Sequence, residues 1–132
     1  MIDFLQSHFP DDGFLGEESS EIKQAKQWVI DPIDGTTNFI RGLPYFCTTL
    51  ALVESERVIG GWIFDPTRDE LYEANLGYGA YCNGQRLQPN WRHSFSTGLV
   101  GICHSSRLTA RELASRITGA LERGAILRQP GA

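Results

Sequence analysis

The stretch Trp28–Phe39, with the sequence WVIDPIDGTTNF, is the most informative part of this chain. Its first three residues form a short apolar run, which predicts a buried strand. Pro32 favours an extended backbone at the residue before it, so the strand is expected to run up to the Asp31 carboxylate and close at this Asp-Pro pair. A second acid, Asp34, follows three residues after the first.

The residues behind the second acid predict a binding loop. Gly35 permits a tight turn, and Thr36 or Thr37 is a natural N-cap for a short helix. Two carboxylates and the backbone carbonyl between them then converge on one point. Such oxygen ligands suit Mg²⁺, and the N–H groups at a helix start suit a phosphate oxygen.

A divalent cation beside an anion-binding helix start is what a phosphoester hydrolase needs. Glu17, in the segment GEES at residues 16–19, adds a carboxylate from a separate loop. A threonine hydroxyl bonded to Glu17 would orient the attacking water. The alternative is that Asp-Pro and Asp-Gly form ordinary turns and that the acids form a solvated face. The two segments together favour the functional interpretation.

The rest of the chain predicts strands in succession, followed by strand, helix and strand. A helix is predicted over residues 1–8, and strands over 46–53, 58–64, 70–74, 77–87, 98–103 and 125–127. Asn83-Gly84 is a hairpin signal. Thr109 and Glu112 form a capping box for a helix that ends near Gly124. Its predicted apolar face consists of Leu113, Ile117, Ala120 and Leu121. This order favours an antiparallel or mixed sheet with helices on its faces.

The composition predicts one globular domain that lies in the cytoplasm. The chain has 132 residues, 12 basic and 16 acidic, with a net charge of −4 and 41% hydrophobic residues. These values give no long-range attraction to nucleic acid, and no segment resembles a signal peptide or a membrane span. Cys47, Cys82 and Cys103 are predicted to be reduced and mostly buried thiols. The chain begins at a helix end and stops after a strand, so further chain is expected on both sides.

The strings GEES and WVIDPIDGTTNF resemble the inositol monophosphatase family of Mg²⁺-dependent, lithium-sensitive phosphatases. Segments at residues 42–46, 60–66 and 77–84 resemble family segments in family order. The resemblance implies an α+β fold, layered α-β-α, with a mostly antiparallel sheet and flanking helices. Residues 1–132 would form a single incomplete domain of the fructose-1,6-bisphosphatase/inositol monophosphatase-like fold, the N-terminal metal-binding part.

The resemblance also implies individual roles. Four residues match metal ligands: Glu17, Asp31, Asp34 and, through its backbone carbonyl, Ile33. Asp31 matches a carboxylate that bridges two metals, and Asp34 matches one that also reaches the substrate hydroxyl. Gly35 and Thr36 match the positions whose N–H groups hold the phosphate. The Thr36 hydroxyl matches the partner of Glu17 in activating water.

One departure from the family pattern concerns the second metal site. The family completes that site with an aspartate in a Trp-Asp motif of a later half. None of Trp28, Trp62 and Trp91 is followed by Asp. Ser105 and Ser106 fall where the family has substrate-side residues. The sequence therefore predicts most of the first metal site and part of the second.

The predicted function is Mg²⁺-dependent hydrolysis of a small-molecule phosphate monoester, first of all inositol monophosphate, to an alcohol and inorganic phosphate. Histidinol phosphate, fructose 1,6-bisphosphate and 3′-phosphoadenosine nucleotides are the alternative substrates within the superfamily. A catalytically inactive remnant or partner subunit is the alternative from another class. No nucleic acid or membrane partner is expected, a homodimer is possible, and these 132 residues alone are expected to turn over substrate poorly.

Overall fold

The computed structural model describes residues 1–16, 24–89, 94, 96–102 and 108–128. The helices are α1 (Ile2–His8), α2 (Thr36–Ile40) and α3 (Ala110–Glu122). The strands are β1 (Gly13–Gly16), β2 (Lys26–Asp34), β3 (Cys47–Glu54), β4 (Arg57–Asp65), β5 (Glu70–Asn75), β6 (Gly79–Cys82), β7 (Gln85–Arg86), β8 (Leu99–Gly101) and β9 (Ile126–Arg128). No helix in the described part of the chain is long and apolar enough to cross a membrane.

Seven strands, β1 to β7, form one sheet in chain order. β1 runs parallel to β2, and each later neighbour is antiparallel. This confirms the predicted mostly antiparallel sheet. Short turns set its register, because Ser55 and Glu56 have positive φ between β3 and β4, as do Asn83 and Gly84 between β6 and β7. Positive φ at both central residues gives the turn a twist that matches the flanking strands.

One face of the large sheet, which we call the covered face, packs against α1. Its core consists of Leu5 from α1, Phe14 from β1, and Trp28 and Ile30 from β2, each no more than 7% exposed. Trp28 and Ile30 share this face because they are two residues apart in a strand. The indole Nε1 of Trp28 donates to Asp12 Oδ2 at 2.8 Å. Each buried side chain of this size contributes roughly 1.5–3 kcal/mol to folding.

The strands β8 and β9 form a second, parallel sheet, connected by α3. A helical crossover is the usual connection between parallel strands. The predicted capping box is confirmed: the Thr109 hydroxyl accepts from the Glu112 N–H, and the Glu112 carboxylate accepts from the Thr109 N–H. The apolar face predicted for α3 is confirmed at Ala120, which is buried, whereas Leu121 is 55% exposed.

The cysteines are less buried than the sequence predicts. Cys47 begins β3 and Cys82 ends β6, and both are only partly buried. The prediction of mostly buried thiols is therefore wrong for these two, because the end of a strand has fewer neighbours than its middle. Cys103 lies outside the described residues.

Candidate metal and phosphate site

Asp31 and Asp34 lie in the last part of β2, where its pairing with β3 is irregular. Asp31 pairs with Thr49 and Asp34 pairs with Cys47, so three steps along β2 match two steps along β3. The extra residue forms a β-bulge. Residues three apart in a regular strand face opposite ways, but Thr49 and Cys47 are two apart and share a face. The bulge therefore brings both carboxylates to one face of the sheet.

This bulge corrects the prediction that the strand closes at Asp31. β2 continues through Pro32 to Asp34. A proline inside a strand marks an edge or a bulge, because it has no N–H to donate. β1 pairs with β2 only as far as Ile30, so Pro32 lies beyond that pairing. The sequence carried this signal in the Asp-Pro pair.

Hydrogen bonds hold the shape of the bulge. The Ile33 N–H donates to Asp31 Oδ1 at 3.1 Å. From β3, Thr48 Oγ1 donates to the Pro32 carbonyl at 2.8 Å. Thr36 Oγ1 donates to the Ile33 carbonyl at 2.9 Å. A carbonyl oxygen has two lone pairs, so the Ile33 carbonyl keeps one for a further ligand.

Gly35 makes the turn from β2 into α2. It is the N-cap, with φ +89°, and Thr36 is the first helical residue. The prediction of Thr36 or Thr37 as the N-cap is therefore wrong, and the Thr36 hydroxyl bonds backwards to the bulge instead. A Cβ on Gly35 would lie 2.8 Å from the Tyr45 carbonyl oxygen. The left-handed backbone and the close approach both require glycine.

Asn38 lies in α2, directly behind the candidate site, and its burial there was not predicted from the sequence. It is only 6% exposed. Its Nδ2 donates to the Tyr45 carbonyl at 2.8 Å, and its own carbonyl accepts from the Leu43 N–H at 2.9 Å. The rings of Phe39 and Phe46 meet edge to face at 5.0 Å. These contacts fix α2 against the entry to β3. An asparagine inside so short a helix, where its propensity is poor, was the available signal.

The thiol of Cys47 lies beside the two carboxylates, with Sγ 4.0 Å from Asp34 Oδ2. Burial raises the pKa of this thiol, and the negative charges of Asp34, Asp31 and Asp65 raise it further. The thiol therefore stays protonated at neutral pH, and it is the thiolate that binds metals. The available donors are oxygens, which suit a hard cation such as Mg²⁺.

The predicted third carboxylate, Glu17, lies outside the described residues, as do Ser105 and Ser106. β1 ends at Gly16, which pairs in parallel with Ile30, one residue before Asp31. The chain thus leaves β1 at the same end of the sheet as the two carboxylates, beyond the C-terminal end of the pairing between β1 and β2. Among the described residues, no group of three or more His, Cys, Asp or Glu side chains is placed to hold a metal ion. The roles of Glu17, Ser105 and Ser106 stay predictions.

Comparison with known proteins decides the family. The family model described as "Inositol monophosphatase family" matches residues 1–129. The chain belongs to the inositol monophosphatase family. It is 44% identical over 95 residues to the inositol-1-monophosphatase of Rhizobium meliloti, covering 70% of this chain and 36% of that protein. It is 43% identical over 91 residues to the Nus factor SuhB of Escherichia coli K12, covering 67% of this chain and 34% of that protein.

Solved structures of the inositol monophosphatase fold superpose on nearly all of this chain. The suhB suppressor protein of Bartonella henselae gives a TM-score of 0.90 at 28% identity, covering 99% of this chain and 53% of that one. The IMPase of Thermotoga maritima gives 0.86 at 33% identity, covering 99% and 50%. The predicted fold class is thereby confirmed. The chain spans between about a third and about half of the length of these relatives.

Proposed function

We propose that this chain carries the first part of a Mg²⁺-dependent phosphomonoesterase site. The observation that carries the proposal is the bulge in β2, which places Asp31 and Asp34 on one face of the sheet. Without the extra residue, the two carboxylates would face opposite ways. The Ile33 carbonyl lies between them in sequence and keeps a lone pair. Glu17 would add the third carboxylate.

Each residue has a role in this proposal. Asp31, Asp34, the Ile33 carbonyl and Glu17 would hold Mg²⁺, which when bound polarises water and offsets the charge of the phosphate. The first N–H groups of a helix have no partner within it, so the start of α2 at Gly35 and Thr36 would receive a phosphate oxygen. The Thr36 hydroxyl donates its proton to the Ile33 carbonyl, so its oxygen would accept a hydrogen bond from the attacking water. Glu17 would orient that water together with Thr36 and take the proton that the water loses.

The substrate that the family favours is inositol monophosphate. Histidinol phosphate, fructose 1,6-bisphosphate and 3′-phosphoadenosine nucleotides are the alternatives, to be separated by comparing hydrolysis rates. A cytoplasmic location and a homodimer are further predictions from the sequence. Phosphate release is measured best on a version of the chain extended to the length of its relatives, since the 132 residues alone are expected to be poor catalysts.

Metal binding tests the proposal on the chain itself. Asp31→Asn is expected to weaken Mg²⁺ binding at least about tenfold in calorimetric titration, because even residues behind metal ligands contribute that much. Asp65→Asn is the matched control. Asp65 also stands before a proline at a strand end, but its carboxylate is already bonded to Thr67 and Arg68. Equal Mg²⁺ affinity in Asp31→Asn and the unchanged chain would contradict the proposal.

A second candidate function is a metal-binding but non-catalytic partner subunit. The chain covers about half of its solved relatives, and no Trp-Asp dipeptide occurs in its sequence. Under this alternative, Mg²⁺ binding depends on Asp31 as above, yet the extended chain releases no phosphate from any of the four substrates. Release of phosphate that Asp31→Asn abolishes in the extended chain rejects it.

A further inference from the structure

Among the described residues, Asn38 is the only buried side chain that is polar or charged. It lies in the middle of α2, a helix of five residues. Burying an amide costs free energy unless the amide is hydrogen-bonded, and asparagine is a poor helix former. An apolar residue would serve better at this position if packing alone were needed. The hydrogen bonds of Asn38 therefore explain its presence better than its packing does.

The side chain of Asn38 holds a peptide group against Gly35. Its Nδ2 donates to the Tyr45 carbonyl at 2.8 Å. That carbonyl oxygen lies 2.8 Å, and the Phe46 α-carbon 3.3 Å, from the point that a Cβ on Gly35 would occupy. The peptide between Tyr45 and Phe46 thus packs directly against the α-carbon of Gly35, and Asn38 holds that peptide in place.

The backbone of Asn38 contacts the same glycine from within α2. The Asn38 N–H donates to the Gly35 carbonyl at 2.9 Å, and the Phe39 N–H donates to it at 3.1 Å. Any helix that begins at this turn makes such backbone bonds, whatever its side chains are. The bond to the Tyr45 carbonyl, in contrast, needs a side-chain donor of suitable length at position 38.

Gly35 joins two residues of the candidate site. Asp34 precedes it and pairs with Cys47 across the sheet. Thr36 follows it and donates through its hydroxyl to the Ile33 carbonyl at 2.9 Å. Glycine has little conformational preference of its own, so contacts with its neighbours must fix the φ of +89° that it adopts. A rotation at Gly35 would move Thr36 relative to Asp34.

We propose that Asn38 is a positioning residue for the candidate site. By holding the peptide that follows Tyr45 against Gly35, its side chain fixes the turn between the two site residues. The consequence for metal binding rests on the proposed function, in which Asp34 is a ligand of Mg²⁺. Groups behind metal ligands orient them and thereby contribute to metal affinity. Asn38 contributes in this way through Gly35.

The aromatic contact beside this bond is a weaker constraint. The rings of Phe39 and Phe46 meet edge to face at 5.0 Å, and Phe39 is 47% exposed. Aromatic pairs are favourable over a wide range of separations and tilts, whereas a hydrogen bond weakens steeply when its angle changes. The Asn38 bond therefore defines the position of the Tyr45 carbonyl more closely than the ring contact does.

The variant Asn38→Leu tests the proposal, because leucine nearly preserves the side-chain volume and removes the donor. We expect the Tm of the 132-residue chain to fall by roughly 3–8 °C, since the Tyr45 carbonyl loses this hydrogen bond. We also expect Mg²⁺ binding to weaken roughly tenfold in calorimetric titration well below the Tm. Asn38→Ala removes the donor with a better helix former and is expected to weaken Mg²⁺ binding equally. It replaces the leucine variant if that variant does not fold.

The matched control is Asn83→Gly. The Asn83 side chain also connects two turns, since it accepts from the Leu71 N–H at 2.7 Å and donates to the Asp69 carbonyl at 3.0 Å. It lies between β6 and β7, away from β2 in the order of the sheet. Its φ is +47°, which glycine adopts without strain. This variant is expected to lower the Tm and to leave Mg²⁺ affinity unchanged.

Two results of the titrations would overturn the proposal. One is an Mg²⁺ affinity that both Asn38 variants leave unchanged while Asp31→Asn weakens it, because Asn38 would then contribute to stability alone. The other is an equal loss of Mg²⁺ affinity in Asn38→Leu and Asn83→Gly, because any loosening of the fold would then have the same effect.

Amide hydrogen exchange separates this proposal from the proposed function. In Asn38→Leu, the Phe39 N–H that bonds to Gly35 is expected to exchange at least about tenfold faster than in Asn83→Gly. Equal exchange of this N–H in the two variants would overturn the proposal. Faster exchange in Asn38→Leu, together with Mg²⁺ binding that does not depend on Asp31, would reject the proposed function and leave the positioning of Gly35 by Asn38 intact.

Discussion

Two strands of the large sheet reach the same dipeptide, Asp-Pro, and then differ. β2 passes Asp31-Pro32 and continues through the bulge to Asp34. β4 ends at Asp65, and the chain turns tightly into β5. In that turn, Asp65 Oδ1 accepts from the Thr67 N–H at 2.8 Å and from the Thr67 hydroxyl at 2.6 Å, and Oδ2 accepts from Arg68 Nη1 at 2.7 Å.

The difference shows that the residues after Asp-Pro decide what the aspartate does. Hydrogen bonds from Thr67, then Arg68, lower the pKa of Asp65 to about 2. Its carboxylate is fully occupied by its own turn. Asp31 accepts the Ile33 N–H on Oδ1, and no ion pair to it occurs within residues 24–89. The residues 32–34 that follow Asp31 therefore leave its carboxylate available to a ligand. The residues 66–68 that follow Asp65 use its carboxylate as a hydrogen-bond acceptor within the turn.

The largest expected effect comes from breaking the turn behind Asp34. Gly35→Ala places a methyl group 2.8 Å from the Tyr45 carbonyl oxygen, in a left-handed backbone conformation. We expect the free energy of unfolding to fall by about 2–3 kcal/mol, measured by urea unfolding. The loop after Asp31 would thereby lose the left-handed conformation at Gly35, which distinguishes this loop from the Asp65 turn.

The variant Gly42→Ala separates the cost of the left-handed backbone from the cost of the close approach to the Tyr45 carbonyl. Gly42 also has positive φ, +70°, but a Cβ there would meet nothing within 4 Å. This variant carries only the backbone penalty, about 1 kcal/mol. If the two variants lose the same stability, the close approach to Tyr45 has no energetic consequence, and the account of Gly35 is wrong.

A smaller effect is expected at the bulge itself. Thr48→Val removes the hydrogen bond to the Pro32 carbonyl while keeping the side-chain shape. The expected loss is about 1 kcal/mol in the free energy of unfolding, together with weaker Mg²⁺ binding, because the bulge aligns the two carboxylates. Thr49→Val, on the neighbouring residue, is the control and is expected to change both quantities little. A loss of stability in Thr49→Val as large as in Thr48→Val would show that the bond is not the cause.

Much of the fold could be predicted from the sequence, because local patterns and global structure agree. The pair Asn83-Gly84 specified its hairpin, and the Thr109–Glu112 capping box specified the start of α3. The partial exposure of Cys47 could not be predicted, since it depends on where the strand lies in the sheet. The exposure of a residue at the end of a strand depends on which other segments lie beside that end in the folded protein, and local sequence patterns do not specify these segments.

The residues of the candidate site stay a prediction from the sequence, whereas the geometry of the part that the structure describes could not be predicted. The motif identified Asp31 and Asp34, and the structure adds the bulge that aligns them. A register shift depends on the pairing of β2 with β3, which local propensity does not contain. Asn38 was missed for the same reason, because its partner, the Tyr45 carbonyl, is seven residues away across a turn.

The smallest expected effect concerns the turn at Asp65-Pro66 and is measured by the titration of the Asp65 carboxyl. The pKa of Asp65 lies near 2, below its ordinary value of 3.8. A carboxyl with a lowered pKa in the folded state stabilises that state above pH 3.8, and this contribution is lost as the pH falls towards 2. Carbon-detected NMR of the side-chain carboxyl follows this step directly.

The pKa of Asp65 is lowered by its hydrogen bond from Thr67 and by its interaction with Arg68. The variants Thr67→Val and Arg68→Gln remove one of these interactions each, so they show which lowers the pKa more. The Thr67 hydrogen bond is the larger one, and the Arg68 side chain is 60% exposed, so solvent screens its charge. The pKa of Asp65 is therefore expected to rise more in Thr67→Val than in Arg68→Gln. Neither variant should change Mg²⁺ binding, because both act on a carboxylate that is already occupied. If Arg68→Gln raises the pKa of Asp65 more than Thr67→Val does, the ion pair is the larger cause of the lowered pKa. A change in Mg²⁺ binding in either variant would mean that the two Asp-Pro segments are not independent.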